Sequence, residues 1–439
     1  MIVMKFGGSS VANAERIRNV LSVVKGRLPR KPLVVASAFR GVTDELFKLA
    51  GEAVKGRSPG IESVENRHQD AILELGLDPD LLDPLYSELS VLLKGISLVK
   101  ELTPRTLDYA VSFGERLSTR IIAAFFTKSG VPSEQHDAFD IGLLTNDEFG
   151  GAQPLPEADA EIRRHVEKMT RVPVVTGYVG KTRNGDITTL GRNGSDFSAT
   201  ILGAAVGAEE IEIWSDVDGI MTADPRLVPA ARPLESLTFD EASELAYYGG
   251  KVLHPATITP AVRKNIPVRC LNTFKPDHPG TPIVPATGAL PKGIKSIAHN
   301  LHNLIVTVST PRMLQGHGFL ARIFEVFGRN RISIDMVSTS EISVSVTLDT
   351  NRHLEAAVAE LRQFAEVSVE RDKAIICVVG EGMRNTPGIA GDIFMAMKEA
   401  GVNVLMISQG ASKISVAFLV DDPDAPKAVQ ALHRKFFGG

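Results

Sequence analysis

The sequence predicts an α/β protein: a mainly parallel sheet between helices, with a helical lobe, followed by two small βαββαβ modules. Three observations predict it. Short apolar runs alternate with amphipathic stretches from the first residues onward. Leucines then fall at three- and four-residue spacing between about Ile61 and Lys128, the mark of amphipathic helices. Finally, a segment of about 70 residues near the C-terminal end is repeated. At 439 residues the chain exceeds one ordinary domain, and a prior near ~150 residues per domain suggests two or three compact units.

In chain order, IVMKF predicts a strand, about Val11 to Val24 a helix, and PLVVASA a second strand before another helical pattern. Such alternation is that of a parallel α/β sheet. The run LELGLDPDLLDPLYSELSVLL belongs to the helical lobe, and strand signals return at VPVVTGYVG and IEIWSDVDGI. Proline and glycine concentrate in KPDHPGTPIVPATGALPKG, where neither helix nor central strand is expected to continue. The expected organisation is a catalytic domain over 1–285, a linker over 286–300, and two modules over 301–370 and 371–439. The repeat carries the last two. Gly318, Ile323, Phe324, Met336 and Ser338 recur as Gly388, Ile393, Phe394, Met406 and Ser408, each 70 residues on (388 − 318 = 70). Ser340, Ile342, Ser343 and Val344 then recur as Ser412, Ile414, Ser415 and Val416 at an offset of 72 (412 − 340 = 72), so one turn carries a two-residue insertion.

Composition narrows the function. With 44% hydrophobic and 23% charged residues and a net charge of −4, the chain reads as an ordinary soluble protein without the basic surplus that nucleic acid requires. Its two cysteines, Cys270 and Cys377, lie in apolar runs and read as reduced, buried thiols rather than a disulfide or a metal site. Lys5 and the paired glycines interrupt the stretch that a signal peptide would need, and no run approaches the ~18 apolar residues of a membrane span. A cytoplasmic setting is expected.

Four segments carry candidate chemistry. KFGGSS, residues 5–10, is a strand ending in two glycines and two hydroxyls before a helix; glycine amides and a helix N-terminus suit a phosphate, although a tight turn capped by Ser9 or Ser10 has the same pattern. Lys5 in an apolar strand favours an anion partner. TTLGRNGSD, residues 188–196, offers the planar fork of Arg192 between two glycines, ahead of a helix expected near Phe197; it suits a carboxylate, the alternative being a helix cap made by Ser195 or Asp196. WSDVDGIMTADPR (214–226) and KVLHP (251–255) are ambiguous alone, since acidic loops and helix-end lysines usually face water. Two look-alikes fail. GKT at 180–182 has Val175 where a P-loop needs glycine, and GHGFLA at 316–321 lies inside the repeat, seven residues beyond its strand.

Jointly, KFGGSS, GERLS (114–118), FGGAQP (149–154), TTLGRNGSD, SDVDGIMTADPR and KVLHP closely resemble the aspartate kinases of the amino-acid kinase family, and the repeat resembles their paired ACT modules. The resemblance covers essentially the whole chain, without a homoserine dehydrogenase domain, and so implies a monofunctional enzyme. It implies that Lys5 sits on the transferring phosphoryl group, that Gly7 and Gly8 supply backbone donors, and that Asp196 organises the lysine. Aspartate would be held by Arg192 and Glu115, with Ser37, Thr43 and Ser195 nearby. ATP would contact Ser215, Asp216, Met221, Arg226 and Lys251, with Mg²⁺ held mainly by its phosphates and no protein metal cluster. Met221 stands where many relatives have tyrosine. The first module resembles a lysine-binding surface formed between two subunits, near Met313, Gly316, Phe319, Leu320, Ser333, Ile334, Asp335, Thr339, Ser340 and Glu341. Asp335 and Glu341 would meet lysine's ammonium groups, and their counterparts in the second copy, Leu405 and Lys413, would not. A dimer through the ACT modules is implied. Two other readings stay open: a related kinase of another carboxylate, and an inactive amino-acid sensor.

Overall fold

The computed structural model describes residues 1–57, 59–249, 255–285, 293–311, 317–348, 353–410 and 414–438. They form two compact units: Met1–Ile220 with Glu235–Phe239 and Val252–Ala286, and Met221–Leu234 with Asp240–Lys251 and Thr287–Gly439.

The first unit opens with β1 (Ile2–Phe6), α1 (Ala14–Lys25), β2 (Pro32–Ala36) and α2 (Val42–Val54). The helical lobe follows as α3 (Glu62–Leu75), α4 (Asp83–Val99) and α5 (Pro104–Lys128). Then come β3 (Ser133–His136), α6 (Ala158–Val166), β4 (Val172–Thr176), the hairpin β5 (Val179–Lys181) and β6 (Ile187–Thr189), α7 (Gly194–Val206) and β7 (Ile211–Ser215). The remaining elements before the repeat are β8 (Leu237–Thr238), α8 (Phe239–Tyr247), α9 (Pro255–Arg263), β9 (Val268–Asn272) and β10 (Thr281–Val284). Eight strands make one sheet in the order β3-β4-β2-β1-β7-β9-β10-β8, parallel except where β10 meets β9. Every residue of β1 and β2 is buried. Central parallel strands are covered by helices on both faces, which is why IVMKF and PLVVA read as continuous apolar runs rather than alternating ones.

The second unit contains β11 (Ser296–Ser309), α10 (Phe319–Arg329), β12 (Val337–Thr339), β13 (Ser343–Leu348), α11 (Leu354–Leu361), β14 (Glu366–Val379), α12 (Ile389–Ala400), β15 (Met406–Ser408), β16 (Ser415–Asp421) and α13 (Ala425–Phe437). Its six strands form one sheet in the order β12-β13-β11-β14-β16-β15. The repeat recurs in details of the backbone. Gly318 (φ 80°) and Gly388 (φ 86°) cap α10 and α12 in a left-handed conformation open to glycine. Asp335 N–H donates to Thr347 (2.9 Å) just as Leu405 N–H donates to Leu419 (2.8 Å).

Three local expectations are corrected. The first helix starts at Ala14 and is capped by the Asn13 side chain, not by Ser9 or Ser10. The helix expected near Phe197 begins at Gly194, because Asn193 turns the chain in a left-handed conformation (φ 53°); Ser195 and Asp196 therefore lie within its first turn. The proline-rich stretch is not all connector: it supplies β10, and the linker expected over 286–300 runs into β11, which begins at Ser296. The 300/301 and 370/371 boundaries both fall inside long strands. The first half of β11 pairs with the second half of β14 and vice versa, so the two copies share these strands. Both cysteines are buried free thiols whose pKa values burial pushes up. Among the described residues, no helix is long and apolar enough to cross a membrane.

Candidate active site

Strand β1 lies between β2 and β7, and the chain passes from it to both sides of the sheet. Crevices form outside the carboxyl ends of strands at such a switch point. A cavity of about 550 Å³ opens there, lined by Lys5 on β1 and Gly8 just after it, Ser37 to Phe39 after β2, Tyr178 after β4, and Gly194 to Asp196 at the start of α7. That volume suits a small metabolite. The loops approach closely, since a Cβ on Gly8 would stand 2.9 Å from the Ala38 carbonyl oxygen, so only glycine fits there.

Lys5 projects from the buried β1 and is itself only 9% exposed. Its Nζ lies 2.6 Å from Asp196 Oδ1, an ion pair without hydrogen-bond alignment, because that oxygen has no aligned donor. Asp196 sits in the first turn of α7, where the helix dipole favours a negative charge. Facing them on α5 is Glu115, 3% exposed. Its Oε1 accepts from Ala38 N–H at 3.1 Å, and its Oε2 has no hydrogen-bond partner. Burial pushes the Glu115 carboxyl up to about 8, against the opposing effects of the Ala38 amide and of Lys5. Arg192 lines the same cavity and is exposed. The arrangement thus offers two cations, an unsatisfied buried carboxylate and a helix N-terminus around one space: acceptors and donors for a zwitterion next to an anion.

Of the residues expected from sequence, Lys5, Gly8, Ser37, Thr43, Glu115, Arg192, Ser195 and Asp196 are brought together in this cavity. Gly7 is adjacent, but its N–H donates to the Trp214 carbonyl at 3.2 Å and so offers no free donor. Ser215 ends β7 with a buried, unpartnered hydroxyl, followed by exposed Asp216. Asp218 is taken up structurally by Lys275 (2.7 Å) and Asn272 (2.6 Å). Met221 and Arg226 belong to the second unit; Met221 forms a bridge with Pro233 and Arg226 pairs with Asp224 at 3.0 Å. Lys251, Met313 and Gly316 lie outside the described residues, as does Lys413.

In the second unit Phe319 and Leu320 begin α10. Ser333, Ile334 and Asp335 precede β12, which contains Thr339, and Ser340 and Glu341 follow it. Asp335 and Glu341 thus flank a three-residue strand, and Glu341 lies in the turn that the Ser340 N–H closes on the Ser343 carbonyl at 2.8 Å. The Tyr247 hydroxyl lies 3.3 Å from the Ile334 and Asp335 carbonyls.

Sequence reasoning missed Tyr178, Arg40 and Gly150 among the cavity residues. Tyr178 holds a left-handed backbone (φ 68°), uncommon for a bulky residue and frequent at functional sites, and burial raises its phenol to about 12. Its one signal was its place inside the predicted strand segment VPVVTGYVG. For metals, the cavity carboxylates Asp44, Glu115 and Asp196 come from three separate helices. Among the described residues the cluster with metal-ligand spacing is His302, Asp372 and Asp422 in the second unit, where His302 already pairs with Asp422 at 2.9 Å.

Comparison with known proteins now decides the family. The model of the amino acid kinase family matches residues 1–272, and that of the ACT domain matches 306–363 and 376–436. Aspartokinase 2 of Arabidopsis thaliana, a chloroplastic protein, is 41% identical over 457 residues, covering 99% of this chain and 84% of the relative. The chain belongs to the aspartokinases of the amino acid kinase family. Lysine-sensitive aspartokinase 3 of Escherichia coli is 34% identical, with 100% and 99% of the two chains covered. The crystal structure of Escherichia coli aspartokinase III with aspartate and ADP superposes on this aspartokinase with a TM-score of 0.87 at 32% identity, covering 100% of both chains. The repeat read from sequence is therefore the ACT pair of this aspartokinase.

Proposed function

We propose that this aspartokinase transfers the γ-phosphoryl group of ATP to the β-carboxylate of L-aspartate, giving 4-phospho-L-aspartate and ADP. This is the entry step to the aspartate-derived amino acids lysine, threonine and methionine. The observation that carries the reading is the single cavity in which the Lys5–Asp196 pair faces the unsatisfied Glu115 carboxylate and Arg192. The β-carboxylate, with a reference pKa near ~3.9, is already ionised at neutral pH, so no general base is required. The demand is to offset repulsion between two anions and hold them in line. Lys5 meets the transferring phosphoryl group, Asp196 fixes the lysine, and Gly8 with the N-terminus of α7 supplies donors. Arg192 takes the α-carboxylate and Glu115 the α-ammonium, with Ser37, Thr43 and Ser195 completing the wall. The dispersed carboxylates form no protein cage, which suits Mg²⁺ carried on phosphate oxygens and water; bound there, it would neutralise developing phosphate charge. Ser215, Asp216, Met221, Arg226 and Lys251 are proposed for the nucleotide. Aspartate-dependent ADP formation tests the reading. Equal ADP formation with glutamate, or none with either, would overturn it.

Glu115 gives a pH prediction. Its folded-state pKa, about 8, exceeds its ordinary 4.5; between these values the folded state binds more protons than the unfolded one, so this group lowers stability as pH rises. Thermal melts of Glu115→Gln should therefore gain on the parent between about pH 5 and 8. Aspartate's ammonium needs the ionised carboxylate, so the parent's KM for aspartate should fall over the same rise, whereas the variant's should stay high and flat.

Lysine is proposed as feedback inhibitor at the first ACT module, near Phe319, Leu320, Ser333 to Asp335, and Thr339 to Glu341, with Met313 and Gly316. The ligand is proposed to lie between the modules of two subunits. Exposed apolar residues on α10 (Leu320, Phe324) and on the edge strands β12 and β15 (Val337, Ile407) support a dimer through these modules. Lysine binds the inactive arrangement better and shifts the population toward it. Titration with lysine should inhibit the parent, and Asp335→Ala should raise the half-inhibiting concentration about tenfold while sparing uninhibited turnover; equal inhibition of both proteins would defeat the assignment. Two reduced, buried thiols support a cytoplasmic setting.

A further inference from the structure

Asp108 lies on α5 and is 3% exposed, yet it does not line the cavity. Its Oδ2 accepts from the amides of Gly150 (2.9 Å) and Thr189 (2.8 Å), and its Oδ1 from the Thr189 hydroxyl (2.9 Å). These donors belong to two segments that lead into the cavity. One, within FGGAQP, brings Gly150 to it; the other, the end of β6 in TTLGRNGSD, leads on to Gly191 and Arg192. The segments also hold each other: Ala152 N–H donates to the Thr189 carbonyl at 2.9 Å, and a Cβ on Gly191 would stand 3.2 Å from the Gly150 carbonyl oxygen. Burial alone pushes the Asp108 carboxyl up, and the three donors oppose that.

The geometry points to Asp108 as a positioning residue for aspartate, one that clamps the Arg192 loop to the helix carrying Glu115. This rests on the reading of the cavity as the amino-acid site. Asp108 and Glu115 are seven residues apart on α5 (115 − 108 = 7), about two turns and roughly 10 Å along one helix face. One rigid helix therefore sets both ends of the zwitterion's site: Glu115 meets the ammonium directly, and Asp108 fixes, through Thr189, the strand end from which Arg192 projects three residues later. A carboxylate is suited to this place because two backbone donors converge on a single oxygen. An asparagine could keep its oxygen there, but without the charge that strengthens both bonds.

The test compares Asp108→Asn with its parent, together with the pair Thr189→Val and Thr189→Ser. Asp108→Asn should raise KM for aspartate about fivefold to tenfold, because the charge-assisted bonds to the two loop amides become neutral ones, while KM for ATP stays within about twofold. Thr189→Val removes one of three bonds and should raise the aspartate KM by a smaller factor; Thr189→Ser keeps the hydroxyl and should match the parent. Melting temperatures are measured alongside. A lowered melting temperature with unchanged KM for aspartate, or equal rises in both KM values, would reduce Asp108 to a structural staple and overturn the inference. If Asp108→Asn does not fold, the Thr189 pair decides: Val and Ser variants with the same aspartate KM would overturn it. An inactive parent would instead refute the underlying reading of the cavity, and the two failures are thus told apart.

Discussion

Lys5→Ala is expected to lower turnover by about 100- to 1,000-fold, the usual consequence of removing one preorganised group that meets developing charge. Lys5 is held for that task by its surroundings. It emerges from a strand with no exposed residue, its ammonium is fixed by Asp196 at 2.6 Å, and its neighbours at Gly7 and Gly8 leave room for an anion in front of it. The interaction strengthens as charge shifts from carboxylate to leaving phosphate, so kcat should fall more than the affinity for either substrate. Removing the lysine alone also leaves Asp196 as an unpaired, largely buried charge, which destabilises the fold. The double variant Lys5→Ala with Asp196→Asn separates the two effects. It should recover thermal stability without recovering turnover. Steady-state kinetics and thermal melts on both variants check this, and near-parental kcat in a folded single variant would remove Lys5 from the mechanism.

Arg192→Lys is expected to act on binding instead, raising KM for aspartate about 10- to 100-fold while leaving kcat at saturation within a small factor. A guanidinium presents two parallel donors to a carboxylate, and an ammonium is a point charge that cannot reproduce the fork; losing one charge-assisted bond accounts for that range. Arg192 follows Gly191 (φ 78°) and precedes Asn193 (φ 53°), both left-handed, so its backbone is turned sharply at the entrance to α7. That local turn directs a long side chain at the cavity. An unchanged KM for aspartate would show that another group holds the α-carboxylate.

What the sequence made legible was local. Lys5 in an apolar strand, the glycine pairs and the 70-residue repeat each carry a physical signature within a few residues, and the structure brings Lys5, Glu115, Arg192 and Asp196 to one place. Helix starts were harder. Asn13 and Asn193 set them, one by a side-chain cap and the other by a left-handed turn, and asparagine signals both less strongly than serine or glycine signal their usual roles. The proline-rich stretch misled because β8 pairs only with Ile283 and Val284, which leaves one side of Pro282 unpaired and so tolerant of its missing donor. Gly7 looked like an available donor until tertiary structure engaged it with Trp214. Asp108 was illegible for the same reason: a lone aspartate in a helix shows nothing of the two distant segments that converge on it.

The central claim is that the cavity beside Lys5 directs phosphoryl transfer from ATP to the β-carboxylate of aspartate and not to its α-carboxylate. Trapping the acyl phosphate with hydroxylamine tests it most directly, because the resulting hydroxamate records which carboxyl group was activated. With ATP and L-aspartate the parent should yield the β-hydroxamate in step with ADP, and Lys5→Ala should yield neither above background. Formation of the α-hydroxamate, or ADP release without any hydroxamate, would contradict the account.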